Sequence, residues 1–188
     1  MSAGEHHRPH YLSHPLIQFE HVVRFLSAAH YFSKLDKENF LLEKEGSYDP
    51  WVAYGNSKLA NILFTKELAK KINSASNDLP ISTYTLHPGG CRTELGRFIL
   101  ESPPIPKPLW YTLGSIALLP AVYLTKSAEQ GAQTQIFLSA SPSLSKKESG
   151  SYFDNSKIAS VSDAAKDDNL AEWLWQRSEQ LTNTKFKI

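Results

Sequence analysis

The apolar positions of this chain change period along its length, and each change marks an element. From Leu16 to Leu26 they run nearly together, through Phe19, Val22, Val23, Phe25 and Leu26. A continuous β-branched and aromatic run of that length predicts a strand buried on both faces of a parallel sheet. From Trp51 to about Asn73 the spacing becomes near-helical, with Leu59, Ile62, Leu63, Phe64, Leu68 and Ile72 on the apolar side. Lys66, Glu67, Lys70 and Lys71 form the expected wet face, with cations toward the C-terminal end as the helix dipole prefers. Ile81 to Leu86 alternates and is rich in β-branched residues, which predicts a second strand. Strand, helix and strand in this order imply a right-handed parallel crossover.

Farther along, Ser127 and Gln130 have the spacing of a capping box, and they open a helix expected to bury Ala132, Ile136, Phe137 and Leu138. Ala164 to Thr182 reads as a closing amphipathic helix through Leu170, Trp173, Leu174, Trp175 and Leu181, its tryptophans serving packing. Between these elements lie less regular stretches. Residues 1–16 are a polar, His-rich tail with no metal site assigned and no apolar run of the kind a secretory signal has. Residues 17–188 make up one domain. Tyr31 to Trp51 is polar and mixed, ending in the turn signal Gly46-Ser47-Tyr48-Asp49-Pro50, and a loop of such length is expected to be functional or mobile.

Arg97 to Leu124 places the Pro-rich Pro103-Pro104-Ile105-Pro106-Lys107-Pro108 before an apolar stretch. That stretch, Leu109–Leu124, is shorter than the ~20 residues needed to span a bilayer and is interrupted by Pro120. Core or lid packing is therefore the preferred reading over membrane contact, and a peripheral membrane contact stays open. Composition narrows the classes further. The chain has 188 residues, 41% hydrophobic and 21% charged, with a formal net charge of +1. It suits one globular domain and gives no electrostatic reason for a nucleic-acid partner. The single cysteine, Cys91, excludes an intrachain disulfide and fits a reducing compartment, so a cytoplasmic location is the default with membrane association open. Cys91 itself reads as a small apolar residue beside a turn.

The chemistry centres on Ala53-Tyr54-Gly55-Asn56-Ser57-Lys58-Leu59-Ala60-Asn61. Tyr54 and Lys58 are four positions apart, which puts both on one helix face one turn apart. A phenol ionises near pH ~10, and a neighbouring ammonium favours the phenolate, so the pair can serve as an acid/base for carbonyl and alcohol chemistry. Together with Leu86-His87-Pro88-Gly89 downstream, this segment resembles the catalytic half of the short-chain dehydrogenase/reductase family. More narrowly it resembles the retinol dehydrogenase-like branch. The resemblance runs from about Val22 to about Gln180. It implies an α/β fold, a partial Rossmann-like doubly wound parallel sheet. It also implies that Ser27, at the end of the first strand, orients the substrate oxygen for Tyr54, although Leu26 stands where a second serine is frequent. Lys58 would also hold the cofactor ribose, Pro88 and Gly89 would lie against the nicotinamide, and Thr93 would bond its carboxamide or the nearby phosphates. His87 is read as structural. Gly150-Ser151-Tyr152-Phe153 matches the family's short last strand, and the Pro-rich and apolar segment matches its substrate lid.

The sequence departs from the family by an absence. Nothing before Ser27 matches the Gly-rich turn that binds the dinucleotide pyrophosphate, and the stretch is too short to hold the first strands of the sheet. The asparagine that completes the family's catalytic set is also missing, and one sheet edge is expected to face water unpaired. Two readings follow. In one, the chain is an NAD(P)(H)-dependent oxidoreductase on hydrophobic alcohols or carbonyls such as retinoids, with NADP(H) preferred over NAD(H). In the other, it is a truncated form that binds no dinucleotide by itself and serves at most as an interaction module. Self-association stays open in both. A hydrolase built on Ser27 is disfavoured because no G-x-S-x-G elbow surrounds it.

Overall fold

The computed structural model describes residues 20–75, 79–91, 106, 108 and 125–187. Their centre is a four-stranded sheet in the order β1-β2-β3-β4, from Glu20–Phe25 (β1), Ile81–His87 (β2), Tyr152–Asp154 (β3) and Lys157–Ile158 (β4). β1 pairs parallel to β2 in the register Glu20 with Ile81 through Phe25 with Leu86, and β2 pairs parallel to β3. β3 and β4 form a small antiparallel hairpin, with Asn155 at φ 50° and Ser156 at φ 59° in its turn. Two central residues in the left-handed region fit a two-residue hairpin, and β4 is too short to leave a periodic signal in the sequence.

Helix α1 (Pro50–Ala75) connects β1 to β2. Its start is set by Asp49, whose side chain accepts from the backbone N–H of Trp51 at 2.8 Å and of Val52 at 2.9 Å, with Pro50 in the first position where its missing N–H costs nothing. α2 (Ala128–Ala140) has the complete Ser127–Gln130 capping box. α3 (Asp163–Lys166) and α4 (Asp168–Thr182) occupy the segment expected as one closing helix. The break falls at Asp167, whose carboxylate caps α4 by accepting from Asn169 and Leu170.

Neighbouring residues of β3 point to opposite faces, and so show the two-sided layering. Tyr152 enters a core with Leu26, Leu59, Ile62, Leu63, Leu170 and Leu174, under α1 and α4. Phe153 enters another with Tyr84, Leu86 and Leu138, under α2. Helices therefore cover both faces, as a doubly wound α/β sheet requires.

Some expectations need correction. Glu67, assigned to the wet face, is only 4% exposed. Lys71 and Lys70 pair with its carboxylate at 3.3 and 3.7 Å. Ile136, expected inside, is 54% exposed, since α2 buries Gly131, Thr134 and Leu138 instead. β1 is not fully buried: it is an edge strand of the described sheet, Val22 is exposed, and Phe25 is exposed on the other face, beside Ile136. In the 31–51 segment, Phe40 lies edge-on to Trp173 at 5.5 Å and Leu35 packs on the core. Among the described residues no helix is long and apolar enough to cross a membrane.

Candidate active site

Because β1 and β2 run parallel, their carboxyl ends open at the same edge of the sheet, the place where open α/β sheets bind ligands. Leu26 extends β1 by one bond, donating to the Leu86 carbonyl at 2.7 Å. Ser27 follows in an extended conformation and caps a 3-10 turn, Ala28–Phe32, with its Oγ accepting from the Ala29 N–H at 3.3 Å. The turn rests directly on α1. Ser33 Oγ donates to the Ala29 carbonyl at 2.9 Å, and a Cβ placed on Gly55 would overlap the Ser33 hydroxyl. Gly55 is thus the point of close approach, one residue after Tyr54. Asn61, farther along α1, reaches the Phe25 carbonyl at 3.5 Å.

These contacts set the turn that Ser27 caps against the start of α1, the helix that carries Tyr54 and Lys58. Tyr54 and Lys58 are both half-buried, with the Lys58 Nζ 5.1 Å from the centroid of the Tyr54 ring. Pro88 and Gly89 lie at the end of the adjacent strand, half-buried, with Gly89 at φ 87°. That glycine is required twice over: its φ lies in the left-handed region, and a Cβ there would run into the Lys126 side chain. Thr93 and the lid segment at 97–124, apart from 106 and 108, lie outside the described residues, as does the 1–16 tail.

The sequence reading missed residues that hold this end together. Lys126 Nζ donates to the Pro88 carbonyl at 3.1 Å and to Asn155 Oδ1 at 2.7 Å, while its backbone N–H bonds the Gly90 carbonyl at 2.8 Å. It thereby links the β2 turn to the β3–β4 hairpin. Neither residue lies in a periodic pattern, and only the position of Lys126 beside the capping Ser127 hinted at it. His30 is fully buried, its ring 4.1 Å from that of Tyr31 and 5.3 Å from that of Tyr152. Burial lowers its pKa below the ordinary value, the Ser27 carbonyl bond opposes this, and the nearby His87 adds to it. Burial, reinforced by Asp154 and Tyr31, pushes the Tyr152 phenol far above its usual range, so that ring stays neutral. His87, read as structural, is half-buried with Nδ1 sealed from solvent and unpartnered. Cys91 is half-buried with Sγ 3.5 Å from the Pro88 carbonyl, against Gly131.

For a dinucleotide the described residues divide. The Pro88–Gly90 turn leaves open space at Gly90, where a Cβ would meet nothing closer than Thr125 at 3.9 Å, while the Lys126 side chain lies over Gly89. For the phosphates the described residues offer no match. An anion is readily held by free N–H groups at a helix N-terminus. Here α1, α2 and α4 each cap their first N–H groups with their own side chains, Asp49, Ser127 and Asp167. Among the described residues no group of His, Cys, Asp and Glu side chains comes together as a metal site.

No protein-family model matches the chain. It is 40% identical over 138 residues to human retinol dehydrogenase 14, a match covering 73% of this chain and 37% of that protein. With mouse retinol dehydrogenase 11 it shares 32% identity over 185 residues, covering 95% of this chain and 52% of that one. The crystal structure of an uncharacterized protein from Mycobacterium paratuberculosis superposes with a TM-score of 0.63 at 28% identity, over 90% of this chain and 53% of that chain. The chain thus spans about half, or less, of the length of the relatives it matches. With near-complete coverage of its own length by such relatives, and Tyr54 and Lys58 on one stripe of α1 at the open end of a parallel sheet, the chain belongs to the short-chain dehydrogenase/reductase family, in its retinol dehydrogenase-like branch.

Proposed function

We propose that the chain acts in an oxidoreductase of the short-chain dehydrogenase/reductase type, interconverting a hydrophobic alcohol and its carbonyl, of the retinol and retinal kind, with NADP(H) preferred over NAD(H). The observation that carries the reading is the Tyr54–Lys58 pair, an acid/base and a cation one turn apart at the carboxyl ends of β1 and β2. In the reducing direction Tyr54 gives its proton to the substrate oxygen, and the Lys58 ammonium stabilises the phenolate left behind. Ser27 Oγ donates a hydrogen bond to that same oxygen and fixes its position. Pro88, Gly89 and Thr93 would form the wall for the nicotinamide, with Lys58 also holding the ribose. The dinucleotide supplies the two-electron chemistry when bound. An apolar substrate suits this branch, and retinol dehydrogenases are what the relatives are named.

A second reading rests on a separate observation: the longer described helices cap their own N-termini with Asp49, Ser127 and Asp167. In that reading this chain alone binds no dinucleotide and acts as an interaction module. Fluorescence titration of the purified chain with NADPH and NADH separates the two. Saturable binding, tighter for NADPH, supports the oxidoreductase. A folded chain that binds neither overturns it for the chain alone and favours the second reading.

A further inference from the structure

We infer that His30 is the positioning residue for Ser27, gripping the Ser27 carbonyl so that the hydroxyl faces the substrate; this rests on the reading of Ser27 given above. The grip is double. His30 Nδ1 lies 2.8 Å from the Ser27 carbonyl oxygen, and the His30 backbone N–H donates to the same oxygen at 3.3 Å. A carbonyl only accepts, so Nδ1 carries the proton and the ring is the Nδ1–H tautomer. The contact that Ser27 Oγ makes by itself, from the Ala29 N–H at 3.3 Å, is long and weak. It sets the hydroxyl as acceptor there, leaving its own proton free for a substrate oxygen, but it is too slight to hold the residue alone.

The ring cannot swing away. It has no exposed surface and is held between Tyr31, tilted at 4.1 Å, and Tyr152, edge-on at 5.3 Å. Tyr152 belongs to the main core, so the packing of β3 against α1 is transmitted through His30 to Ser27. Nε2 is sealed from solvent and has no partner. A buried nitrogen in that state is a bare lone pair rather than an orphaned N–H, which agrees with the tautomer that the carbonyl dictates. What the imidazole adds to the apolar packing at this position is the donor that the Ser27 carbonyl accepts.

The test compares His30→Phe, which keeps the ring and loses the donor, with His30→Asn, whose side-chain amide can still donate to the carbonyl. In NADPH-dependent reduction of retinal, His30→Phe is expected to lower kcat on the order of tenfold, as for one lost hydrogen bond in the transition state, with KM little changed. His30→Asn is expected to recover most of it. Equal rates in folded wild type and His30→Phe overturn the inference, as does a loss that both variants share in full. Nitrogen-15 NMR of the wild-type chain gives a second readout that needs no turnover. A neutral Nδ1–H ring with slow exchange at the His30 and Ala29 amides supports the grip; an Nε2–H tautomer overturns it. If wild type shows no turnover, or if turnover survives Tyr54→Phe, the reading of the site fails and the NMR readout alone decides on His30.

Discussion

Gly55→Ala reports directly on whether the Ser27 turn docks on α1. In the interior of a free helix the substitution stabilises by about 1 kcal/mol, because alanine loses less backbone entropy. Here the new Cβ would overlap Ser33 Oγ and come within 3.3 Å of the Ala29 carbonyl oxygen. Ser33 has to rotate, which breaks its 2.9 Å bond to the Ala29 carbonyl and leaves the buried Ser33 hydroxyl without that partner. That costs about 1–3 kcal/mol. The net effect in the wild-type background is a loss of up to about 2 kcal/mol, or a few degrees in Tm for a chain of this size. In a Ser33→Ala background the overlap with the hydroxyl is gone: Ser33 Cβ lies at an ordinary 3.6 Å from the new methyl, and the Ala29 carbonyl oxygen at 3.3 Å has to give by only a few tenths of an ångström. There the same substitution should stabilise by about 1 kcal/mol, giving a coupling of about 1–3 kcal/mol between the two sites. Urea denaturation of the four proteins measures it. Stabilisation by Gly55→Ala in both backgrounds would refute the docking of the turn that Ser27 caps on α1.

Lys126→Met keeps the aliphatic stem over Gly89 but removes the bonds to Pro88 and Asn155. It should cost about 1–2 kcal/mol in urea midpoint stability and weaken NADPH binding in a fluorescence titration, whereas unchanged values in both would show that the strut holds nothing. His30 provides an acid-sensitive term. Its folded pKa is lowered, first by burial, so below about pH 6.5 the unfolded chain binds more protons than the folded one. The stability it contributes is present above that pH and is lost as pH falls through the folded value. Tm should therefore drop from pH 7 to pH 5.5, less steeply in His30→Asn, and an identical slope in the variant would contradict this assignment.

The long periodic elements were legible because their pattern outweighs local exceptions. α1, β2 and the capped start of α2 lie within a few residues of where the spacing put them. Burial of single residues was less legible, since it depends on what covers a face. Glu67 looks like a surface residue but is buried beside Lys70 and Lys71, and Ile136 looks like core but lies at the edge of the described sheet. Short-range devices left still less trace. The Asp49 cap was hidden within a turn signal, and the β3–β4 hairpin rests on two left-handed residues rather than on any alternation. At the site, Tyr54, Lys58 and Pro88-Gly89 carry a motif. His30 and Lys126 do not, because their roles exist only after β1, β2 and β3 have brought distant segments to one edge.

The central claim is that Tyr54 is the acid/base of a hydride-transfer oxidoreductase. The most direct measurement is the rate of NADPH oxidation by the purified chain with retinal, for wild type and Tyr54→Phe side by side, with circular dichroism to confirm that both fold. Removing the phenolic hydroxyl leaves the ring and the packing of α1 intact, so the account predicts a loss of on the order of 100-fold or more in kcat, the contribution of general acid–base catalysis, without a fall in Tm. Equal rates in the two proteins, or no turnover by a folded wild-type chain, would contradict it.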